Sequence, residues 1–92
     1  MSNKFIIAET NTFQKTIQKS LHKSVYNKIQ NFVYPQLSIN PYFGPNIKKL
    51  KGKFAGIYRY RIGNNRLFYS INTEKAIVFI IDLSQRKESY RN

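Results

Sequence analysis

Five residues in the second half of the chain have the types and spacing to do chemistry: Arg59, Arg61, Arg66, Arg86 and Tyr90. Arg59 and Arg61 stand two apart in the run IYRYRI, where period-two alternation puts them on one face of a strand. Gly63, Asn64 and Asn65 read as a tight hairpin turn, and Arg66 then opens a second strand, RLFYSI, bringing a third guanidinium beside the first two. Gln85, Arg86 and Tyr90 follow the apolar strand AIVFIIDL, so a fourth arginine and a phenol come within reach of the same face. Crowding cations together gives a fold nothing, because like charges repel and are costly to desolvate without partners. It does suit a phosphodiester, which arginine grips through paired hydrogen bonds and stabilises as the phosphorus becomes pentavalent. The expected chemistry is that of a phosphate cradle.

The surrounding charge points the same way. The chain carries 16 Lys plus Arg against 4 Asp plus Glu, a formal charge of +12. Between Glu9 and Glu74 there is no acid, while eleven lysines and arginines fall in that interval. The densest stretch, residues 48–66, adds Lys48, Lys49, Lys51 and Lys53 to the arginines and interleaves them with Phe54, Tyr58 and Tyr60. Cations mixed with aromatics fit phosphates and stacked bases, so these four lysines and Arg59 are expected to bind a nucleic acid. The competing reading is a solvated lysine face. Such faces mix both signs, whereas a one-sign surface directs its field at a polyanion. Tyr58, Tyr60 and Tyr69 share the inward parity and are expected in the core; Phe68 has the outward parity, open to a base or a bound protein.

Composition removes other classes of function. With 92 residues, 41% of them hydrophobic, the chain reads as one folded domain over residues 1–92. The absence of cysteine excludes disulfides and thiolate chemistry, and one histidine with four scattered carboxylates offers no usual zinc or calcium site. No metal or other cofactor is expected. The longest apolar run, residues 76–81, falls far short of the roughly 20 residues that span a bilayer. The beginning MSNKFIIAET does not read as a signal peptide, so the expected compartment is the cytoplasm.

The elements that must position the cluster follow from periodicity. Residues 4–8 read as a first strand. Asn11 or Thr12 can cap a helix whose stripe is Phe13, Ile17 and Leu21. After a break at 22–24, with His22 as a surface or boundary residue, Val25, Ile29, Phe32 and Val33 repeat the pattern until Pro35, which predicts a stop at about Tyr34. Residues 37–45 read as a surface loop. Three strands then complete an α+β fold of order βααβββ: an antiparallel sheet with both helices packed on one face.

The run LKGKFAGIYRYRIGNNRLFYSI and the terminal IIDLSQRKESY resemble the RelE/ParE superfamily of toxins from type II toxin–antitoxin systems, specifically its RelE-like branch. The likeness covers nearly the whole chain. It implies a metal-independent endoribonuclease that enters the ribosomal decoding site, cuts messenger RNA and so inhibits translation. It also implies a cognate antitoxin, at least locally acidic, that wraps the toxin with an amphipathic helix. On this resemblance Arg59, Arg61 and Arg66 match the basic residues that bind the scissile phosphate. Arg86 matches the arginine that stabilises the transition state, and Tyr90 the tyrosine that stacks on the base or assists proton transfer. The chain departs from many relatives at Gln85, where they carry histidine, and in residues 40–46, where some place a glutamate. Acid–base work then falls to Arg86, Tyr90 or a lysine. Cutting a strand without a metal uses the ribose 2′-hydroxyl as nucleophile, which restricts the substrate to RNA. The resemblance thus makes RNA the nucleic acid that Lys48, Lys49, Lys51, Lys53 and Arg59 are expected to bind. Two other readings stay open: a ParE-like inhibitor of DNA gyrase on the same fold, and a non-catalytic basic RNA-binding module.

Overall fold

A computed structural model of the chain describes residues 4–19 and 23–85. Ile6 and Ile7, β-branched and suited to a pleated surface, open strand β1 (Ile6–Glu9). Thr10 closes it and caps helix α1 (Asn11–Ile17): its backbone stays extended, and its hydroxyl accepts the Phe13 N–H at 3.2 Å. The cap thus precedes the Asn11 or Thr12 expected from sequence. The cause is tertiary, since the same hydroxyl donates to the Ile80 carbonyl at 2.7 Å and so pins the helix start to the last strand.

Pro35 does not end the second helix. Helix α2 (Lys23–Lys28) runs into a π-helical segment (Ile29–Val33) and on into α3 (Tyr34–Ile39). In the wide turn the Tyr34 N–H bonds to the Ile29 carbonyl, five residues back. A proline ring clashes with the carbonyl four residues upstream in a regular α-helix. The wide turn removes that register, and Pro35 becomes a first-turn residue of α3, where a missing N–H costs little. The helix therefore occupies residues expected to be loop, and Asn40 is the first beyond it.

Five strands form one sheet: β1, β2 (Ile47–Lys49), β3 (Ile57–Ile62), β4 (Asn65–Asn72) and β5 (Ile77–Gln85), in the order β1-β5-β4-β3-β2. The expected antiparallel pairing of β3, β4 and β5 is present. The sheet is mixed, however, because β1 lies parallel to β5; helices rather than a hairpin follow β1, so no tight turn dictates its direction. Strand β2 is additional to the expected order. Its sequence, IKK, has no alternation of its own and is held by pairing with β3.

Phe13, Val25, Ile29, Val33 and Leu37 from the helices pack against Tyr58, Tyr60, Leu67, Tyr69, Val78, Ile80 and Leu83 from one face of the sheet. The three tyrosines take their expected inward places, and two of their hydroxyls are tied down: Tyr60 donates to Gln36 Oε1 at 2.6 Å and Tyr69 to the Pro41 carbonyl at 2.8 Å. The α+β class, with two helices on one face, is as expected. Among the described residues no helix is long and apolar enough to cross a membrane.

Candidate nucleic-acid interface

The face of the sheet turned away from the helices is built by alternation along β3 and β4. Inward Tyr58 and Tyr60 force Ile57, Arg59 and Arg61 outward, and inward Leu67 and Tyr69 do the same for Arg66, Phe68 and Ser70. A two-residue turn, Gly63–Asn64, sets the register between them. Gly63 takes a φ of 57°, and no positive φ follows at Asn64, the pattern of a type II′ hairpin that matches strand twist.

Register then sorts the outward side chains into rows about 7 Å apart. The row nearest the turn holds Arg61, Arg66 and Ser84. The next holds Lys48, Arg59, Phe68 and Asp82. Beyond it come Ile57, Ser70, Phe79 and Ala8. The face therefore grades from cationic at the hairpin end to apolar at the other. Arg61 is exposed, whereas Arg59 and Arg66 are half-buried.

Asp82 is the carboxylate in these rows, and it is turned aside. Its Oδ1 accepts the Thr16 hydroxyl at 2.7 Å and the Leu83 N–H at 2.8 Å, tying it to α1. A β-bulge lies beside it: Phe68 pairs with Asp82 but Tyr69 pairs with Ile80, leaving Ile81 as an extra residue. The bulge shifts the parity of β5, so that Leu83 is buried like Val78 and Ile80, while Ile81 joins the outward face.

Beside the cationic rows lies a pocket of ≈ 420 Å³ lined by Leu50, Phe54, Ile57, Arg59, Arg66, Phe68 and Ile81. Sequence alternation gives Phe68, Arg59 and Arg66 their places in it. Leu50 and Ile81 were not foreseeable from alternation, since one follows the unexpected β2 and the other owes its place to the bulge.

Of the predicted site residues, Arg59, Arg61, Arg66 and Lys48 share this face. Lys51 and Lys53 are exposed on either side of Gly52, and the Lys53 Nζ stands 5.9 Å from the centroid of the Phe54 ring. Lys49 parts from the others. It pairs with the inward-facing Tyr58 and lines a separate cavity with Tyr42, Phe43, Gly44 and Ile47, because neighbours on a strand point to opposite faces. Arg86, Tyr90 and His22 lie outside the described residues. Gln85 is opposite Asn65 and lines a polar cavity with Ser24 and Lys28; Ser84 holds the place in the arginine row.

Residues 6–90 match the family model for the ParE toxin of the type II toxin–antitoxin system parDE. The fold is similar to the toxin–antitoxin complex RelBE2 from Mycobacterium tuberculosis, with 26% identity, TM-score 0.77, and coverage of 90% of this chain and 92% of that one. It is also similar to the archaeal RelE–RelB complex from Pyrococcus horikoshii OT3, at 27% identity and TM-score 0.72 over 97% and 99% of the two chains. A mutant E. coli toxin RelE in the free state shares the fold at TM-score 0.74 and 22% identity, over 94% of this chain and 87% of that one. No curated protein is significantly similar in sequence.

Proposed function

The chain belongs to the family of ParE toxins of type II toxin–antitoxin systems, and from that premise we propose that it is a ribosome-dependent endoribonuclease that cuts messenger RNA. The observation that carries this reading is the convergence of Arg59, Arg61 and Arg66 in adjacent rows of one sheet face, with the carboxylate of those rows tied to α1. A cationic surface whose rows hold their carboxylate in a hydrogen bond to a helix is suited to a phosphodiester.

In the proposed reaction the three guanidiniums hold the scissile phosphate. The ribose O2′ attacks phosphorus, the bond from phosphorus to O5′ breaks, and a 2′,3′-cyclic phosphate and a 5′-hydroxyl result. One proton leaves O2′ and one arrives at O5′, a transfer assigned to Arg86, Tyr90 or a lysine, since Gln85 cannot accept a proton. Fixed guanidiniums stabilise the charge that develops on the non-bridging oxygens without reorganising as it forms. Lys48, Lys51 and Lys53 supply sequence-independent attraction to the RNA backbone.

The similar complexes from M. tuberculosis and P. horikoshii each hold a toxin with its antitoxin, which supports a cognate antitoxin for this chain; the formal charge of +12 calls for one that is acidic at least locally. The family match to ParE favours a second reading, inhibition of DNA gyrase. Inducible expression in a bacterial host with primer extension on a translated reporter separates the two. Growth arrest with new 5′ ends inside the translated region, lost in Arg61→Ala and Arg86→Ala, supports the nuclease. Arrest with intact mRNA and altered plasmid supercoiling moves the function to gyrase, and no arrest leaves a binding module.

A further inference from the structure

The pocket beside the arginine rows has a use that phosphate binding does not absorb. Its lining is largely apolar, with two aromatic rings, Phe54 and Phe68, and two guanidiniums, Arg59 and Arg66. Phe68 and Arg59 are direct cross-strand partners, and Arg66 precedes Phe68 by two residues on the same face. A ligand held through its phosphate by Arg61 and Arg66 therefore has an aromatic surface one row away.

We propose that this pocket is a nucleobase subsite, in which an unpaired RNA base next to the scissile phosphate stacks on Phe68 and is enclosed by Phe54 and Ile81. The inference rests on the nuclease reading above. Unstacked bases in single-stranded RNA are held by aromatic rings and by guanidinium planes, and this pocket offers both within one cross-strand pair. The cations on its rim select a ligand that brings negative charge along with a flat apolar surface, which is what a nucleotide presents. Phe68 is thus a specificity-determining residue: it orients the nucleotide so that O2′ lies in line with the breaking bond, while the arginines bind the phosphate whatever the base.

The test uses short single-stranded oligoribonucleotides with a 2′-deoxy sugar at the cleavage position, so that binding is read without turnover. Each is paired with a version lacking the base next to the scissile phosphate. Wild type should lose about tenfold in affinity when that base is removed, in line with the stacking of one base. Phe68→Ala and the pocket-filling Phe68→Leu should bind both oligonucleotides equally, while Arg61→Ala should weaken both in parallel. In translated mRNA the Phe68 variants should cut with a lower rate and a redistributed set of sites. Equal base dependence in wild type and Phe68→Leu overturns the subsite even if wild type cuts mRNA. Weakened antitoxin binding in the Phe68 variants, with RNA behaviour unchanged, assigns the pocket to the protein partner and overturns it as well. A wild type that neither binds these RNAs nor cuts mRNA overturns the nuclease reading itself.

Discussion

Arg61 and Arg66 face each other directly across the β3–β4 ladder. Like charges at opposed positions destabilise a sheet by up to about 1 kcal/mol, so the hairpin holds this pair against its own stability. Arg61→Gln should therefore stabilise the fold by about 0.5 kcal/mol, read as a higher urea midpoint at unchanged slope. The same variant should lose at least tenfold in RNA cleavage. A lower midpoint would mean that the pair is compensated within the fold and does not mark a ligand site.

Lys48 and Lys49 are neighbours in sequence and opposites in space, one paired with Arg59 and the other with Tyr58. Removing Lys48 takes a cation from the arginine face, so Lys48→Ala should weaken RNA binding at every sequence and lower the salt dependence by about 0.7, the share of one phosphate contact on a single strand. Lys49→Ala should leave both unchanged. Affinity measured across a salt series decides it, and equal losses in the two variants would show that net charge, not placement, governs binding.

That pair also marks where the sequence stops being legible. Alternation along IYRYRI and RLFYSI is dictated by burial of Tyr58, Tyr60, Leu67 and Tyr69, and it predicts the arginine face residue by residue. Strand β2 carries no such pattern, and a three-residue edge has to be pinned by its partner, so the faces of Lys48 and Lys49 could not be told apart. Pro35 misleads for a related reason: its local rule is sound for an α-helix, and a π-turn set by packing of Ile29 and Val33 escapes it. The bulge at Ile81 is likewise invisible in an apolar run, where every residue suits either face.

Asp82 should be a stability determinant through the Thr16 hydroxyl and the Leu83 N–H, both of which it accepts. Thr16→Val should cost about 1 kcal/mol, and Asp82→Ala about 2 kcal/mol because two donors lose their acceptor. The double variant should cost little more than Asp82→Ala alone, since the two substitutions remove one shared bond. Urea denaturation of the four proteins tests this, and full additivity would mean that the hydrogen bond contributes nothing measurable.

Glu9 links the first strand to the second helix through two phenols, with Oε2 accepting from Tyr26 at 2.8 Å and from Tyr34 at 2.7 Å. Burial, then the hydrogen bond to Glu9, then its negative charge push Tyr26 up from 10.0 to about 12, and the same causes raise Tyr34 further. Tyr69 is also raised, mainly by burial and then by Tyr58 and Tyr60 nearby. All three phenols hold their protons more tightly folded than unfolded. Their contribution to folding is therefore fully present below the ordinary tyrosine pKa near 10 and is lost as pH rises toward and beyond 12. Tyrosinate absorbance near 295 nm should show these phenols ionising together with the loss of far-UV circular dichroism. In Glu9→Gln the carboxylate that holds the protons is gone, so Tyr26 and Tyr34 should ionise at lower pH and the alkaline transition should become shallower. Ionisation of Tyr26 and Tyr34 near pH 10 with the circular dichroism intact would show that Glu9 does not clamp these phenols in solution.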